Sequence, residues 1–402
     1  MDSTRRGFLH SAGLTGLGAS TAAAGRLLSG SGSESQGKAS PGPVPTVPQA
    51  SFYGAHQAGI GTPAQDYLQF ASLDVVSTSV TDLRELMITW TRTAALMASG
   101  SVIGPVETGS KPAVDTGEAI GLPASNLTVT FGFGPTLFMS NGKDRFGLAA
   151  RRPAPLADLP AFRTDALRAG ISGGDLGIQV CANNPQVAFH AVHELVRQAN
   201  PVARLRWLLA GSGRTGNSQR QPMPRNLMGF FDGTANIMAE DSTSMNNFVW
   251  ASPTSSPAWM RGGSYLVARR IQIELGKWDA TAVSGQEHTI GRKKLSGNVL
   301  AAPLPAHSHI LLSSPRANNG ERILRRGYSY FDGVDHAYGA PATGLMFLCY
   351  QSDPRKQFVP IQRKLAAGDA LNKFIRHIGS AIFACPPGAS SPSGYVGERL
   401  LR

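Results

Sequence analysis

Gly177-Ile178-Gln179-Val180-Cys181-Ala182-Asn183-Asn184-Pro185 and Leu345-Met346-Phe347-Leu348-Cys349-Tyr350-Gln351-Ser352-Asp353-Pro354 are built to one plan. Each is an apolar run of strand length closed by a polar turn with a proline, and each leads into apolar residues at helical spacing, over 187–197 in the first case and 358–365 in the second. The two cysteines stand 168 positions apart (349 − 181). A second pair of apolar runs, around Val129 and Ile310, is separated by a similar distance, and two similarities at a shared offset predict a duplicated unit of roughly 170 residues. Strands alternating with helices in each half predict an α+β protein of two tandem ferredoxin-like domains. The boundary is expected in 211–225, a stretch rich in Gly, Ser, Arg and Pro, which gives domains over 51–215 and 216–402.

Before the first domain, Thr4-Arg5-Arg6-Gly7-Phe8-Leu9-His10 precedes a mildly apolar Ala/Gly/Leu/Thr run and the small residues Ala22-Ala23-Ala24-Gly25. An arginine pair, an aromatic two residues on and a small-residue cleavage site predict a twin-arginine signal peptide over 1–28, hence passage through the twin-arginine translocase to the periplasm or the cell exterior. Residues 29–50, rich in Gly, Ser and Pro and without periodicity, are expected to form a disordered linker. Beyond the signal no apolar run reaches 18 residues, so no further membrane anchor is expected.

The chain has 402 residues, 42% of them hydrophobic, enough for a two-domain globular protein with a sizeable core. Its formal charge of +12 favours anionic partners. There is no run of Lys and Arg interleaved with aromatics and no recognised binding motif, so nucleic acid is not expected. Cys181, Cys349 and Cys385 sit in apolar runs without a C-x-x-C pair; buried free thiols are expected, and covalent haem attachment through C-x-x-C-H is excluded.

Chemistry is concentrated in the second half. In Gly229-Phe230-Phe231-Asp232-Gly233-Thr234 two glycines bracket one carboxylate beside aromatic surface, the arrangement that equips an acid or base for proton transfer in a cleft. By itself an Asp-Gly pair is more often a simple turn. His307 and His309, in Ala306-His307-Ser308-His309-Ile310-Leu311-Leu312, would share one face if the segment were a strand, so either could ligate a metal. Leu324-Arg325-Arg326-Gly327-Tyr328-Ser329-Tyr330 adds two guanidinium groups ahead of a glycine turn.

These stretches together resemble the dye-decolourising peroxidases, haem peroxidases whose G-x-x-D-G signature is matched by 229–233. The likeness continues in Trp259-Met260-Arg261-Gly262-Gly263-Ser264-Tyr265-Leu266, in Gln286-Glu287-His288-Thr289-Ile290-Gly291-Arg292-Lys293-Lys294, and in Ser308-His309-Ile310. It also takes in 324–330, Phe52-Tyr53-Gly54-Ala55-His56-Gln57-Ala58-Gly59-Ile60 and Phe347-Leu348-Cys349-Tyr350-Gln351, so it spans nearly all of the chain after the linker. The chain looks most like the exported branch that includes deferrochelatase/peroxidases of bacterial iron uptake. The resemblance implies tandem domains of the dimeric α/β-barrel kind with one non-covalent haem b in the C-terminal one, and hydrogen peroxide with a dye or small-molecule reductant as substrates. It implies His309 as proximal ligand of the haem iron, with His307 as competitor, Asp232 as distal acid-base residue and Arg325 as distal arginine. It also implies Gly233 as a haem-binding residue. Relatives often carry an arginine where Leu311 stands here, and its place against a propionate would fall to a residue such as Arg316. Peroxide turnover through a ferryl intermediate is the implied reaction, with an acidic optimum, because aspartate ordinarily ionises near pH 4. The alternative reading is a haem-handling deferrochelatase that releases iron and spares the porphyrin, with iron-uptake components as partners; a cofactor-free binding module is a third. The residue that backs His309 and the oligomeric state, a homo-oligomer included, stay open. Trp259, Trp278, Tyr328 and Tyr330 are read first as packing residues and second as carriers of an electron hole.

Overall fold

The alternation of strand and helix patterns becomes, in the computed structural model, one closed sheet with helices packed outside it. The structure describes residues 49–254, 256–335 and 339–402. The signal expected over 1–28 and all but the last two residues of the expected linker lie outside them. Of those two, Ala50 donates its backbone N–H to Asn126 Oδ1 at 2.9 Å.

The first half runs β1 (Tyr67–Val75), α1 (Val80–Ala98), β2 (Thr128–Phe133), β3 (Leu176–Ala182), α2 (Pro185–Ala199) and β4 (Ala203–Arg214). Helix α1 starts where Ser79 accepts the Asp82 N–H at 3.2 Å, and it turns Leu83, Leu86, Met87, Trp90 and Ala94 inward. The polar turn of the first repeat copy is likewise a helix start. Asn184 accepts the Gln186 and Val187 N–H groups, and Pro185, whose missing N–H costs nothing there, occupies the first helical position.

The second half runs β5 (Ser264–Ile273), α3 (Val283–Ile290), α4 (His309–Leu312), β6 (Leu324–Arg325), β7 (Tyr328–Asp335), β8 (Ala340–Gln351), α5 (Phe358–Gly368) and β9 (Ile375–Cys385). The strands follow the order β5-β9-β2-β3-β1-β4-β7-β8, and β8 pairs again with β5, so the sheet closes; β6 is added on β8. All pairings are antiparallel, and the halves meet along narrow seams, Phe133 opposite Ala384 and β4 against β7 at Ser212–Ser329 and Arg214–Tyr328. What joins them is packing. Leu68, Phe70 and Cys181 from the first half share an apolar cluster with Leu266, Tyr328, Leu348, Tyr350 and Phe383 from the second. Strands β2 and β3 are buried at every residue, since one face meets this interior and the other lies under α1 and α2. Among the described residues no helix is long and apolar enough to cross a membrane.

One of the two repeat correspondences holds and one does not. Cys181 and Cys349 occupy strands β3 and β8, each leading to a helix. Val129 lies in β2, but Ile310 lies in helix α4, and the strand that takes the place of β2 in the second half is β7. A short continuous apolar run such as 310–312 has no period by which strand and helix can be told apart. Here Leu312 N bonds Ser308 O and the run closes as a helical turn, so the expected strand through His307 and His309 does not form. All three cysteines are buried and free.

Candidate active site

Asp232 sits in a loop that its neighbours leave little freedom. Asn226 Oδ1 accepts the N–H groups of Met228 (3.1 Å) and Phe230 (3.3 Å), and Trp278 Nε1 donates to Met228 O at 3.0 Å from below. Gly229 and Gly233 adopt φ of 84° and 113°, a region that disfavours side chains. A Cβ on Gly233 would also lie inside van der Waals contact with Gly216 O, so glycine is required on both counts. The Asp232 backbone is pinned between Pro224 O and Gly216 N at 2.9 and 3.0 Å. Its side chain is 8% exposed.

Asp232 Oδ1 accepts a 2.7 Å bond from Arg325 Nη1, across 93 positions of sequence. Arg325 is delivered by β6, where it pairs with Cys349 of β8, and Asn236 holds the two segments together. The buried Asn236 amide accepts the Arg325 N–H (2.8 Å) and donates to Arg325 O (2.7 Å) and Gly216 O (2.9 Å). The adjacent Arg326 points the other way, fully buried, with Nη1 on Thr62 O and Nη2 on Gln65 Oε1. Of the arginine pair, then, one serves the cleft and one the core.

His309 is the first residue of α4, and its Nδ1 lies 2.6 Å from Asp369 Oδ2. Asp369 is itself fixed at the end of α5 by accepting the Leu371 N–H on Oδ1 at 2.8 Å. Burial works against a charged imidazole, but the charge and hydrogen bond of Asp369 outweigh it, and the His309 pKa is raised; Arg325 opposes and Asp232 adds to the rise. The fields of Asp232 and Arg325 therefore reach His309. With Nδ1 donating to the carboxylate, Nε2 is left as a basic lone pair, and about a third of the side chain is exposed. The other histidine, His307, is exposed and bonds Gly368 O through Nδ1 at 2.8 Å.

A second cation belongs to this neighbourhood. Arg292, from the stretch after α3, has a lowered pKa through burial and through the charge of Arg325 beside it. Its Nη1 donates to Gly297 O at 3.0 Å, while its Nε is buried without a partner. Among the described residues it forms no ion pair. Arg316 is exposed on the turn Pro315–Asn318 and joins none of the bonds around Asp232, Arg325 and His309. Trp259, Trp278, Tyr328 and Tyr330 are all buried at 4% exposure or less, as packing residues are. The structure thus pairs Asp232 with Arg325 beside Gly233 and Asn236, and sets His309 on Asp369 within reach of their charges, with Arg292 near Arg325. Chemically the set offers a carboxylate-backed imidazole donor for a metal, an acid-guanidinium pair, and an unpaired cation for an anionic substituent.

The chain is similar to proteins already known over most of its length. Family models described as Dyp-type peroxidase, N-terminal and C-terminal, match residues 57–212 and 223–390. Deferrochelatases of Yersinia pestis and Escherichia coli O157:H7 are 35% and 34% identical over 373 and 382 residues, covering 87% and 90% of this chain and 84% and 89% of theirs. Among solved structures, ferric DtpA from Streptomyces lividans is 38% identical with a TM-score of 0.79, over 88% of this chain and 97% of that one. A DyP-type peroxidase from Cellulomonas bogoriensis is 34% identical with a TM-score of 0.77, over 88% and 98%.

Proposed function

The chain belongs to the Dyp-type peroxidase family, and on that footing we propose that it reduces hydrogen peroxide with one non-covalently held haem b, oxidising dyes, phenols or other one-electron donors. The observation that carries this reading is the Asp232–Arg325 pair at 2.7 Å, whose charges act on a carboxylate-backed His309. The residues fit the cofactor. His309 Nε2 would hold the iron, with Asp369 raising its basicity from behind. Arg292, with its buried partnerless Nε, would pair a propionate; the exposed Arg316 is the second residue in reach of that role on sequence grounds. All of these residues lie in the second half, which makes residues 216–402 the haem-binding domain and 51–215 its partner. The first half runs strand-helix-strand-strand-helix-strand, and the second follows the same order with a further helix and the short β6 inserted after β5; the sheet orders β4-β1-β3-β2 and β9-β5-β8-β7 match, which supports the ferredoxin-like reading.

When bound, the haem supplies the iron at which the O–O bond of peroxide is cleaved and through which donors return electrons. Asp232 Oδ1 is engaged by Arg325, so Oδ2 is the oxygen that takes the proton from one peroxide oxygen and hands it to the other, which leaves as water. Arg325 Nη1 orients that carboxylate, and the guanidinium stabilises negative charge as the bond breaks. Gly233 and Asn236 keep both groups at their stations. The arginine pair at Arg5 and Arg6 supports export through the twin-arginine translocase to the periplasm or beyond.

A second reading is favoured by the curated relatives named deferrochelatase: removal of iron from haem with the porphyrin intact. Chromatography of the tetrapyrrole after peroxide turnover with a phenol or dye separates the two. Intact haem beside oxidised donor is the result expected of a peroxidase. Protoporphyrin accumulating in proportion to protein would transfer the assignment to deferrochelation, and neither product would overturn both.

A further inference from the structure

One buried group of titratable side chains belongs neither to the site around Asp232 nor to the apolar core. It lies in the first half, where α2 meets the connection between α1 and β2. Asp115, His190 and Glu194 are 1%, 5% and 0% exposed, and one donor atom from each falls within 4.8 Å of the others. His190 and Glu194 are four residues apart on one face of α2, and Asp115 descends on that face from the connection. Asp115 and His190 both line a cavity of about 100 Å³.

The hydrogen bonds orient these groups without satisfying them. Asp115 Oδ1 and Oδ2 accept the Gly117 and Ile103 N–H groups at 2.8 and 2.9 Å. Glu194 Oε2 pairs with Arg197 Nη2 at 2.6 Å, and Oε1 accepts the Thr116 N–H at 2.7 Å. His190 Nδ1 stands 2.7 Å from Glu118 Oε2. Glu118 Oε1 is likewise held by His193 Nδ1 at 2.7 Å, and since a carboxylate oxygen accepts, Nδ1 is the donor in the His190 bond. His190 Nε2 is thereby left to offer its lone pair to a ligand, facing Asp115 Oδ1 across 3.8 Å. That gap is too long for a hydrogen bond, and it suits two donors bridged by one ion at about 2.0–2.2 Å from each.

Charge and proton counts point the same way. Asp115 and Glu194 are two buried carboxylates against one guanidinium, that of Arg197, while the less buried Glu118 is shared between His190 and His193. The Thr116 hydroxyl touches both Glu118 Oε2 and Glu194 Oε1, yet has one proton to give, so one of these contacts sets oxygen against oxygen. A buried cluster with this excess of negative charge is costly unless a cation compensates it.

We propose that Asp115, His190 and Glu194 bind one divalent cation that accepts mixed imidazole and carboxylate ligands, Zn²⁺ or Mn²⁺, with Glu118 orienting the imidazole from behind. The ion ties the connection between α1 and β2 to α2. It is separate from haem iron, and the proposal stands or falls independently of the peroxidase reading.

The test uses the full chain as purified, stripped with a chelator, dialysed, and titrated with ZnCl₂ and with MnCl₂ by calorimetry, with zinc, manganese and iron counted separately by elemental analysis. One equivalent of zinc or manganese per chain is expected, with affinity at least about tenfold lower in Asp115→Asn and His190→Gln. Saturation is expected to raise the Tm by about 2 °C or more in wild type alone. Co²⁺ added to wild type reports the same site without any variant, through visible d–d bands that Zn²⁺ abolishes. No stoichiometric uptake by wild type and no Co²⁺ bands would overturn the proposal and leave a protonated His190 paired with Asp115. Uptake that both variants retain unchanged would also overturn it, as adventitious surface binding.

Discussion

Asp232 and His309 are each held by a polar partner brought from far along the chain, Arg325 across 93 positions and Asp369 across 60, and Asn236 fixes Arg325 in turn across 89. Pairs at such separations leave no spacing to read in the sequence. Arg292 belongs to the stretch 286–294 that carries part of the resemblance, but its bare Nε and its closeness to Arg325 are properties of the fold alone. Asn236 gives the sharpest residue-scale prediction, since it holds the strand that carries Arg325 to the loop that carries Asp232. Replacing Asn236 with Ala leaves the Arg325 N–H unsatisfied and lets the guanidinium shift. The expected outcome is a fall of about 10- to 100-fold in kcat/KM for peroxide, with haem retained and the KM for the electron donor little changed. An equal loss of haem affinity and donor KM would point instead to general loosening of the cleft.

At the scale of elements, both repeat segments lead into helices as their apolar spacing predicts; α2 begins at the capped Asn184-Pro185 turn, whereas α5 begins at Phe358 without a side-chain cap. The short elements are not readable in this way. α4 comes from a four-residue run that no period distinguishes from a strand, and it is the element that presents His309. Strand β9 carries a testable consequence of burial. His377 is 4% exposed, its Nδ1 has no partner, and burial followed by the positive charge of Arg269 brings its pKa down to about 3. An imidazole kept neutral in the fold takes up a proton on unfolding once the pH is below its ordinary value near 6.5. Its contribution to stability is therefore complete above pH 6.5 and is lost as the pH falls towards 3. Between pH 7 and 4.5, denaturant unfolding of His377→Gln should show a shallower decline than wild type, the difference growing to the order of a few kcal/mol. Parallel declines would show that His377 is not the group responsible.

At the scale of the whole molecule, one of the two segment pairs that predict the duplication holds, and the closed sheet is implied only by the resemblance to barrel-forming relatives, not by any local pattern. Nothing local in Phe133 or Arg214 announces that β2 will meet β9 or that β4 will meet β7; the ring closes because both halves turn apolar faces into one interior. That closure sets the second-half site against a complete scaffold, with Arg326 anchoring β6 to Thr62 and Gln65 of the first half while Arg325 turns to Asp232. The central claim is that this arrangement makes Asp232 the proton carrier in peroxide cleavage. Its most direct test is stopped-flow mixing of haem-loaded wild type and Asp232→Asn with hydrogen peroxide, following the Soret band across pH. A second-order rate lowered by about 10² or more in the variant, with the ferric spectrum before mixing unchanged, is the predicted result. A rate equal to that of wild type at every pH would contradict it.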